Sequence, residues 1–303
     1  MPHSSSFPLL RSLFLLILLG CLEVPPLLAE PMPYTRTRDI LYGRVDGTAL
    51  TLDLFKPGRP NGLGVIYVMS GGWYSSHEFI GPKIVQPLLD HGYTVFAVVH
   101  GSNPRYTIPE IVPQTERSVR FIRHHSKDYG IDPQRLGVAG GSAGAHLTLM
   151  LATRGGPGTT DAKDPVDRES SAVQAAAGFF PPTDFLNYGR HGESAVGEGI
   201  LKDFRSAFGD VPQEPDAKRR FAESISPAYH VRAGVPPVFL LVGDQDKLVP
   251  MQQSELFLER VKAVGGVGEI EVRPGQGHGW KDWENDVERF AVWFDRHLRK
   301  LER

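Results

Sequence analysis

The chain has 303 residues, a length that suits one α/β domain or two small ones and allows a sizeable buried core. Its composition, 41% hydrophobic and 22% charged, argues against an intrinsically disordered chain and against a polytopic membrane protein. The formal net charge is −2, so the chain lacks the excess of Lys and Arg that neutralises phosphates. We therefore expect no nucleic-acid partner.

The first thirty residues differ from the rest of the chain. Arg11 precedes an apolar run over residues 13–19, which is too short to cross a bilayer and has the length of a signal-peptide core. We predict a signal peptide over residues 1–29, cleaved after Ala29, and export to the periplasm or the medium. The remaining residues 30–303 are predicted to form a single catalytic domain, because they contain no repeat and no clean linker.

Cys21 offers a different interpretation of the leader. Residues 1–20 also fit a bacterial lipoprotein signal, in which Cys21 would carry a lipid anchor and would be the one attachment to a membrane. An uncleaved anchor or a misassigned start is a further alternative. Because Cys21 is the only cysteine, the folded body has no disulfide, no catalytic cysteine and no cysteine-based zinc site.

Alternating apolar and polar residues predict an N-terminal β-hairpin, formed by residues 40–45 and 49–55 around Asp46-Gly47. Apolar strands and helical segments then alternate along the chain. The predicted strands cover residues 63–69, 94–99, 135–139, 173–180, 238–242 and 269–272. The predicted helices cover residues 80–89, 110–129, 143–153, 252–264 and 283–301. This order predicts an α/β fold with a mostly parallel central sheet that helices flank on both faces.

Two irregular segments interrupt the alternation of strands and helices. Residues 154–170 are rich in Gly, Pro, Asp and Thr and are predicted to form a surface loop over one end of the sheet. Residues 181–227 contain short helical pieces such as residues 202–208. We expect both segments to be small irregular cap insertions, and the second to form part of a lid or substrate wall.

The motif Gly140-Gly141-Ser142-Ala143-Gly144 lies between a predicted strand and an Ala- and Leu-rich helix. A strand that turns sharply into a helix exposes the serine hydroxyl at the carboxyl edge of the sheet, and a strained, crowded turn requires small neighbours. The alternative is an ordinary N-cap serine in a glycine-rich turn. We predict that Ser142 is a nucleophile.

A serine at its free pKa is a poor nucleophile, so it needs a base and a group that orients the base. Asp246 follows the strand over residues 238–242, and His278 lies between glycines in a loop after the last predicted strand. The chain order Ser, Asp, His is the order of hydrolases built on this strand-to-helix turn. Asp244 is the alternative acid, but it lies at the strand end, where carboxylates often cap turns.

The strand end over residues 69–73, Met-Ser-Gly-Gly-Trp, is the candidate for binding the oxyanion that forms in acyl transfer. Glycines let backbone amides approach a substrate, so we predict an oxyanion hole made by the amides of Gly71, Gly72 and Ala143. A shift of one residue would replace the amide of Gly71 with that of Trp73. A glycine turn that binds no ligand is the alternative.

Three aromatic residues, Trp73, Tyr74 and Trp280, flank the predicted centre and are candidates for the substrate pocket. Two further histidines, His124 and His125, are adjacent on a predicted helix, where neighbouring side chains face different directions. We therefore expect them to be solvated and not to form a metal site.

Over residues 46–298 the chain resembles the esterase/lipase group of α/β-hydrolases, which includes carboxylesterases, hormone-sensitive-lipase-like enzymes and BD-FAE-type (bifunctional acetylxylan and feruloyl) esterases. The resemblance rests on residues 132–144, 173–184, 243–250 and 277–279. It implies an α/β-hydrolase fold and an exported carboxylic-ester hydrolase that uses no metal or organic cofactor. It also implies a small-molecule or carbohydrate-linked substrate, with short or aromatic acyl groups such as acetyl or feruloyl.

The chain departs from the pattern of this group at two places. The group usually has His-Gly-Gly-Gly-Trp at the oxyanion strand, whereas Met69 stands here in place of the histidine that commonly braces the loop. Pro181 likewise replaces the glycine of the usual Gly-Pro-Thr-Asp, which ends at Asp184. We expect Asp184 to have a structural role; what braces the oxyanion loop stays open.

Two other functions fit parts of the pattern. A peptidase of the prolyl-oligopeptidase type uses the same triad, but no segment of propeller size precedes the catalytic region in this sequence. A noncatalytic binding protein that keeps the fold is the other alternative, supported only by the altered oxyanion strand. The sequence predicts neither the natural ester nor the oligomeric state.

Overall fold

The computed structural model describes Met1 and residues 30–299. The predicted leader, with its alternative over residues 1–20 and its Cys21, lies outside the described residues except for Met1. Residues 31–299 lie in one compact unit. Among the described residues, no helix combines the length and hydropathy needed to cross a membrane.

The described part of the chain after residue 30 begins with the predicted hairpin. Strands β1 (Tyr34–Val45) and β2 (Thr48–Pro57) pair in antiparallel fashion, and Asp46 and Gly47 form the turn with φ of 46° and 75°. Both strands are longer than the alternation of the sequence suggested. Register shifts in β1 change which side chains face inward, so the simple alternation is lost toward Tyr34.

Eight strands form one sheet in the order β1-β2-β4-β3-β5-β6-β7-β8. The six strands after the hairpin are β3 (Gly64–Val68), β4 (Thr94–Val99), β5 (Leu136–Gly141), β6 (Ala175–Phe179), β7 (Val238–Gly243) and β8 (Gly268–Arg273). Strands β1, β2 and β4 pair in antiparallel fashion, and every other neighbouring pair is parallel. The predicted mostly parallel sheet is confirmed.

Helices cover both faces of this sheet. They are α1 (Pro82–Asp90), α2 (Ile108–His124), α3 (Ser126–Tyr129), α4 (Ala143–Arg154), α5 (Pro215–Ile225), α6 (Gln252–Ala263) and α7 (Val287–Phe294). Successive residues of β3 face opposite sides, because side chains alternate along a strand. Ile66 and Val68 join the core formed with α2 and α4, whereas Val65 and Tyr67 join the core formed with α1 and α7. The predicted helical layers on both faces are confirmed.

Two helices show the largest differences in extent from the prediction. Helix α2 begins at Ile108, two residues early, because Thr107 and Glu110 form a reciprocal capping box at its start. The predicted C-terminal helix over residues 283–301 consists of a 3-10 turn over Trp283–Asp286, then α7, then a π-helical turn over Asp295–Arg299.

The second irregular segment is held to the sheet by Gln253, which is fully buried at the start of α6. Its Oε1 accepts hydrogen bonds from the amides of Thr183 and Asp184, at 2.9 and 2.8 Å, and its Nε2 donates to the carbonyl of Asn187 at 3.0 Å. One side chain therefore satisfies three backbone groups of the segment that follows β6.

Asp184 is also fully buried. Its Oδ1 accepts from the amides of Leu186 and Asn187, at 2.9 and 3.2 Å, and its Oδ2 accepts from the Asn187 side chain at 2.9 Å. These contacts are internal to the loop, which is the structural arrangement expected from the sequence.

Replacing Gln253 with Ala should lower the free energy of unfolding by about 3 kcal/mol, because buried backbone groups lose their partners. Urea unfolding followed by circular dichroism measures this change. Gln213→Ala is the matched control, since Gln213 is exposed and contacts only the carbonyl of Val211. Equal urea midpoints for the two variants would contradict the anchoring role of Gln253.

Candidate active site

Ser142 occupies a sharp turn between β5 and α4, with φ of 52° and ψ of −119°. This conformation is rare for a residue with a side chain and costs roughly 1–3 kcal/mol. The turn depends on two glycines. A Cβ at Gly140 would lie 2.5 Å from the carbonyl carbon of Gly144, and a Cβ at Gly144 would lie 2.5 Å from the carbonyl oxygen of Val68. The G-x-S-x-G pattern is thus a steric requirement of this turn.

Two hydrogen bonds attach this turn to the neighbouring strands. The amide of Ser142 donates to the carbonyl of Phe179 at the end of β6, at 3.0 Å. The amide of Gly144 donates to the carbonyl of Ser70, just after β3, at 3.2 Å. The serine is therefore held at the carboxyl edge of three adjacent strands, where α/β sheets place their binding sites.

The structure brings Ser142, His278 and Asp246 together. His278 Nε2 lies 3.0 Å from Ser142 Oγ, and His278 Nδ1 lies 2.7 Å from Asp246 Oδ2. Because Nδ1 donates to the carboxylate, Nε2 is the nitrogen that can accept the serine proton. The other oxygen of Asp246 accepts from the amides of Leu248 and Val249, at 2.9 Å each.

Asp244, the alternative acid, does not contact the histidine. Its Oδ1 instead accepts from the amide of Gly275 at 2.7 Å, which is the turn-capping arrangement expected for a carboxylate at a strand end. Gly243 lets the two loops meet, because a Cβ there would lie 2.2 Å from the carbonyl oxygen of Gln276. The amide of Gln245 donates to that same carbonyl at 2.8 Å.

The backbone after β3 corrects one predicted donor. The amide of Gly71 already donates to the carbonyl of Tyr74 at 2.9 Å, so it is not available for an oxyanion. Gly72 and Trp73 both have positive φ, 54° and 60°. Neither their amides nor that of Ala143 donates to any acceptor within the described part of the chain. The geometry therefore favours the one-residue shift, in which the amide of Trp73 replaces that of Gly71.

The loop after β4, residues 100–103, braces this turn. Asn103 Nδ2 donates to the carbonyl of Gly72 at 2.7 Å, and the amide of Asn103 donates to the carbonyl of Trp73 at 3.2 Å. Asn103 alone thus holds the carbonyls of both residues that have positive φ, Gly72 and Trp73.

A second contact fixes the start of the same turn. Ser75 Oγ donates to the carbonyl of Met69 and accepts from the amide of His100. Ser102 Oγ accepts from the amide of Ser75 at 2.8 Å and donates to its carbonyl at 2.9 Å. Ser75, Ser102 and Asn103 thus occupy the bracing role left open by Met69, and the sequence pattern gave no signal for them.

The side chain of Trp73 lies in the core. Its indole is 2% exposed, donates from Nε1 to His146 Nδ1 at 3.1 Å and packs against Phe185 and Phe208. The positive φ of Trp73 directs its side chain into the core, but Trp73 also lines a small space of about 10 Å³ together with Ser142 and Ala143, so its contact with substrate stays a prediction. His146 Nε2 faces the carbonyl of Ile225 at 2.7 Å, so the ring donates there and accepts from the indole.

The other two aromatic candidates also lie outside the cavity beside Ser142. Tyr74 is 51% exposed and packs edge-on against Phe79. Trp280 donates from Nε1 to Asp286 Oδ2 at 3.0 Å and packs against Phe180. Neither ring lines the space at the nucleophile.

A cavity of about 380 Å³ opens at Ser142 and His278. Its apolar wall is formed by Tyr67, Met69, Phe79, Ile84, Phe180 and Trp283. These residues come from separate parts of the chain, so no local pattern identified them, although Phe180 directly follows β6 at the carboxyl edge. A larger cavity of about 970 Å³ between β1 and α2 contains no triad residue, so volume alone does not locate the site.

His124, the last residue of α2, and His125, which follows it, do not share a ligand. His124 Nδ1 lies 3.3 Å from Glu169, and His125 Nδ1 lies 3.1 Å from Asp128.

Among the described residues, Asp39, Asp53 and His77 bring three ligand atoms within 4.8 Å of one another. However, Arg36 donates a hydrogen bond from Nε to Asp53 at 2.7 Å, so this carboxylate already has a positively charged partner.

Two fully buried histidines support the site. His100 lies in the bracing loop and His146 lies one turn into α4. Burial lowers the pKa of each to about 4, because the charged form loses its hydration, and a hydrogen bond to a backbone carbonyl opposes this only in part. Both rings are therefore neutral in the folded protein at neutral pH.

Between pH 6.5 and about 4 the unfolded chain binds protons at these histidines that the folded chain does not. The free energy of unfolding should therefore be fully retained above pH 6.5 and fall as the pH decreases toward 4, by on the order of 3 kcal/mol per histidine. Urea unfolding at pH 7, 5.5 and 4.5 measures the slope of the free energy of unfolding against pH. The slope should decrease in His100→Gln and in His146→Gln, and not in the control His191→Gln, whose ring is exposed. If His100→Gln and His146→Gln both kept the wild-type pH dependence of the free energy of unfolding, the two buried histidines would not be its cause.

Comparisons with known proteins agree with this architecture. The chain is 28% identical over 240 residues to the probable carboxylic ester hydrolase LipM of Mycobacterium tuberculosis, covering 76% of this chain and 53% of LipM. The chain thus spans about half the length of this curated relative.

Two solved structures share the fold. A truncated carbohydrate esterase from gut microbiota superposes with a TM-score of 0.71 at 23% identity, over 88% of this chain and 98% of that chain. An acetyl ester-xyloside bifunctional hydrolase from Caldicellulosiruptor lactoaceticus superposes with a TM-score of 0.69 at 23% identity, over 85% and 92%. The predicted α/β-hydrolase fold is confirmed. The BD-FAE family model matches residues 52–261, more than half of the chain, and the chain belongs to the BD-FAE family.

Proposed function

We propose that the chain is a carboxylic-ester hydrolase that acts through an acyl-enzyme intermediate on Ser142. The observation that carries this proposal is the continuous hydrogen-bonded series from Ser142 Oγ through His278 to Asp246, at 3.0 and 2.7 Å. The name of LipM and the membership of the BD-FAE family support an ester as the substrate.

In the first half-reaction, Ser142 Oγ attacks the ester carbonyl and its proton passes to His278 Nε2. Asp246 stabilises the imidazolium that forms and is itself oriented by two backbone amides. When the bond to the alcohol oxygen breaks, Nε2 returns the proton to that oxygen and the acyl group stays on Ser142. Water activated by the same nitrogen then releases the acid.

The tetrahedral oxyanion would be bound by the amides of Gly72, Trp73 and Ala143. Each donor of this kind contributes about 3 kcal/mol to the stability of the transition state in acyl-transfer enzymes. Such donors act only if they are held in place before the reaction. The bonds from Asn103 to the carbonyls of Gly72 and Trp73 supply that rigidity.

The proposed substrates are short-chain or aromatic acyl esters, such as acetyl or feruloyl groups on carbohydrate. The names of the two structural neighbours, a carbohydrate esterase and an acetyl ester-xyloside hydrolase, support a carbohydrate-linked ester. The cavity of about 380 Å³ lies at the lower end of the range for small-molecule sites, roughly 300–1,000 Å³, and exceeds the volume of an acetyl group. No observation within the described residues favours a peptidase or a noncatalytic protein.

We also propose that the protein is exported, on the basis of the apolar run and the cleavage site within residues 1–29. Mass spectrometry of the mature N-terminus tests this. A chain beginning at Glu30 supports the signal peptide, and a lipidated Cys21 supports the lipoprotein alternative; an intact leader contradicts both.

Asp246→Asn and His278→Ala should each lower kcat/KM for p-nitrophenyl acetate by at least roughly a hundredfold, because the base loses its orienting group or is removed. Ser142→Ala should abolish both turnover and labelling by a fluorophosphonate probe. Asp244→Asn is the matched control for the carboxylate and should retain activity. If wild type neither turns over activated esters nor reacts with the probe, the proposed hydrolase function fails.

A pair of glycine variants tests whether catalysis requires the positive-φ turn at Gly72. Gly72→Ala should lower kcat roughly a hundredfold, since the new Cβ would lie 2.6 Å from the Phe204 ring at a positive φ and would displace the turn. Gly71→Ala should change kcat less than about threefold, because its nearest neighbour, Phe79, is 3.8 Å away. Equal effects, or effects in the reverse order, would contradict a catalytic role for the turn at Gly72 and Trp73.

A further inference from the structure

Two spaces of very different size meet at Ser142. The larger is the cavity of about 380 Å³, and its wall includes His278. The smaller measures about 10 Å³ and is lined on one side by Gly72, Ser142 and Ala143. A space needs about 10–15 Å³ on this measure to admit one water molecule. The smaller space therefore has room for a single group of about the size of a methyl.

Part of the second irregular segment closes the far side of the smaller space. The 3-10 segment Gly199–Ala207 contributes Phe204 and the buried Leu201. The remaining wall is also apolar and is formed by Pro182, Leu248 and Val249. Larger groups can enter only by displacing these packed side chains.

Three contacts hold this 3-10 segment against the turn after β3. The ring of Phe204 packs on Gly72 so closely that a Cβ there would lie 2.6 Å from Phe204 Cε1. The same ring meets the Trp73 indole edge-on, with 6.2 Å between the ring centroids. Ser206 Oγ donates to Asn103 Oδ1 at 2.9 Å, and Asn103 Nδ2 donates to the carbonyl of Gly72. The apolar wall is therefore attached to the residues that would bind the oxyanion.

The path of the proton indicates which half of an ester faces each space. The alcohol oxygen receives its proton from His278 Nε2, so it must lie within hydrogen-bond reach of that nitrogen. His278 lines the larger cavity and is not among the described residues that line the smaller space. The alcohol half therefore extends into the larger cavity. The acyl substituent lies on the other side of the reacting carbon, where the smaller space is.

We propose that the smaller space is the acyl site and that Leu201 and Phe204 are specificity-determining residues, which limit the acyl group to acetyl. The methyl of an acetyl group fits the space, whereas each further methylene must displace well-packed side chains. The alcohol half is limited only by the larger cavity. This inference rests on the proposed ester hydrolysis and narrows its acyl groups, from short or aromatic ones to acetyl.

The test compares p-nitrophenyl acetate with p-nitrophenyl butyrate, which share one alcohol and differ only in the acyl chain. The measured quantity is the ratio of kcat/KM for the acetate to that for the butyrate. In wild type this ratio should be about tenfold or more, because two added methylenes overpack the acyl site. In Phe204→Ala and in Leu201→Ala it should fall to about one, because truncation opens volume beside Ser142. Damage to the oxyanion turn would lower both rates alike and leave the ratio unchanged.

Phe79→Ala is the matched control, since Phe79 lines the larger cavity and not the smaller space. It should keep the wild-type ratio of acetate to butyrate. It should instead change the ratio of kcat/KM for 2-phenylethyl acetate to that for ethyl acetate, which differ in the alcohol half. Phe204→Ala should leave this second ratio within about twofold of wild type.

The inference is overturned if wild type hydrolyses the butyrate as efficiently as the acetate, or if Phe204→Ala and Leu201→Ala both keep the wild-type preference for acetate. Loss of that preference in Phe79→Ala alone would place the acyl group in the larger cavity, which also overturns it. In each of these outcomes wild type still hydrolyses p-nitrophenyl acetate, so the proposed hydrolase function stands. If wild type hydrolyses none of the esters, the proposed function fails, and the inference fails with it.

Discussion

The reversal of the backbone at Ser142 is the constraint on which the rest of the site depends. The chain passes from β5 to α4 within one residue, and the close approach of Gly140 to Gly144 and of Gly144 to Val68 leaves no room for a side chain at either glycine. The strained φ of Ser142 is retained because the turn is tied to β6 and to the chain after β3. These same ties place the oxyanion strand beside the nucleophile.

The oxyanion strand shows how a local motif can be replaced by contacts from a distant loop. The chain lacks the histidine that the resemblance implies at Met69. The loop after β4 instead holds the turn through Ser75, Ser102 and Asn103. Trp73 adds rigidity from the other side, because its indole is hydrogen-bonded to His146 in the core. Both sides of the turn are therefore fixed before any substrate binds, which is what electrostatic stabilisation of an oxyanion requires.

The features of the site that could be predicted from the sequence are those that follow from chain order along the sheet. Ser142, Asp246 and His278 each follow a strand, and parallel strands bring their carboxyl ends to one edge. The proposed oxyanion donor at Trp73 could not be chosen over Gly71 from the sequence, because the choice depends on which amide donates to the Tyr74 carbonyl. The orientation of the Trp73 indole depends on the positive φ of that residue, which the sequence does not reveal.

The cavity wall was also beyond sequence reasoning, since Tyr67, Phe79 and Trp283 come from segments far apart in the chain. Their packing is a property of the assembled sheet, in which Tyr67 faces the α1 and α7 side. The lengths of β1 and β2 were underestimated for a related reason. Register shifts break the alternation that marks a strand in sequence, while the backbone pairing continues.

Trapping the intermediate tests the central claim, that Ser142 carries the acyl group, most directly. Wild-type protein mixed with p-nitrophenyl acetate and quenched in acid within the first turnovers should yield, after digestion, a peptide containing Ser142 that is heavier by one acetyl group. The adduct should accumulate in His278→Ala only slowly and should be absent from Ser142→Ala. Steady hydrolysis with the acetyl group found on another residue, or undiminished turnover by Ser142→Ala, would contradict the account.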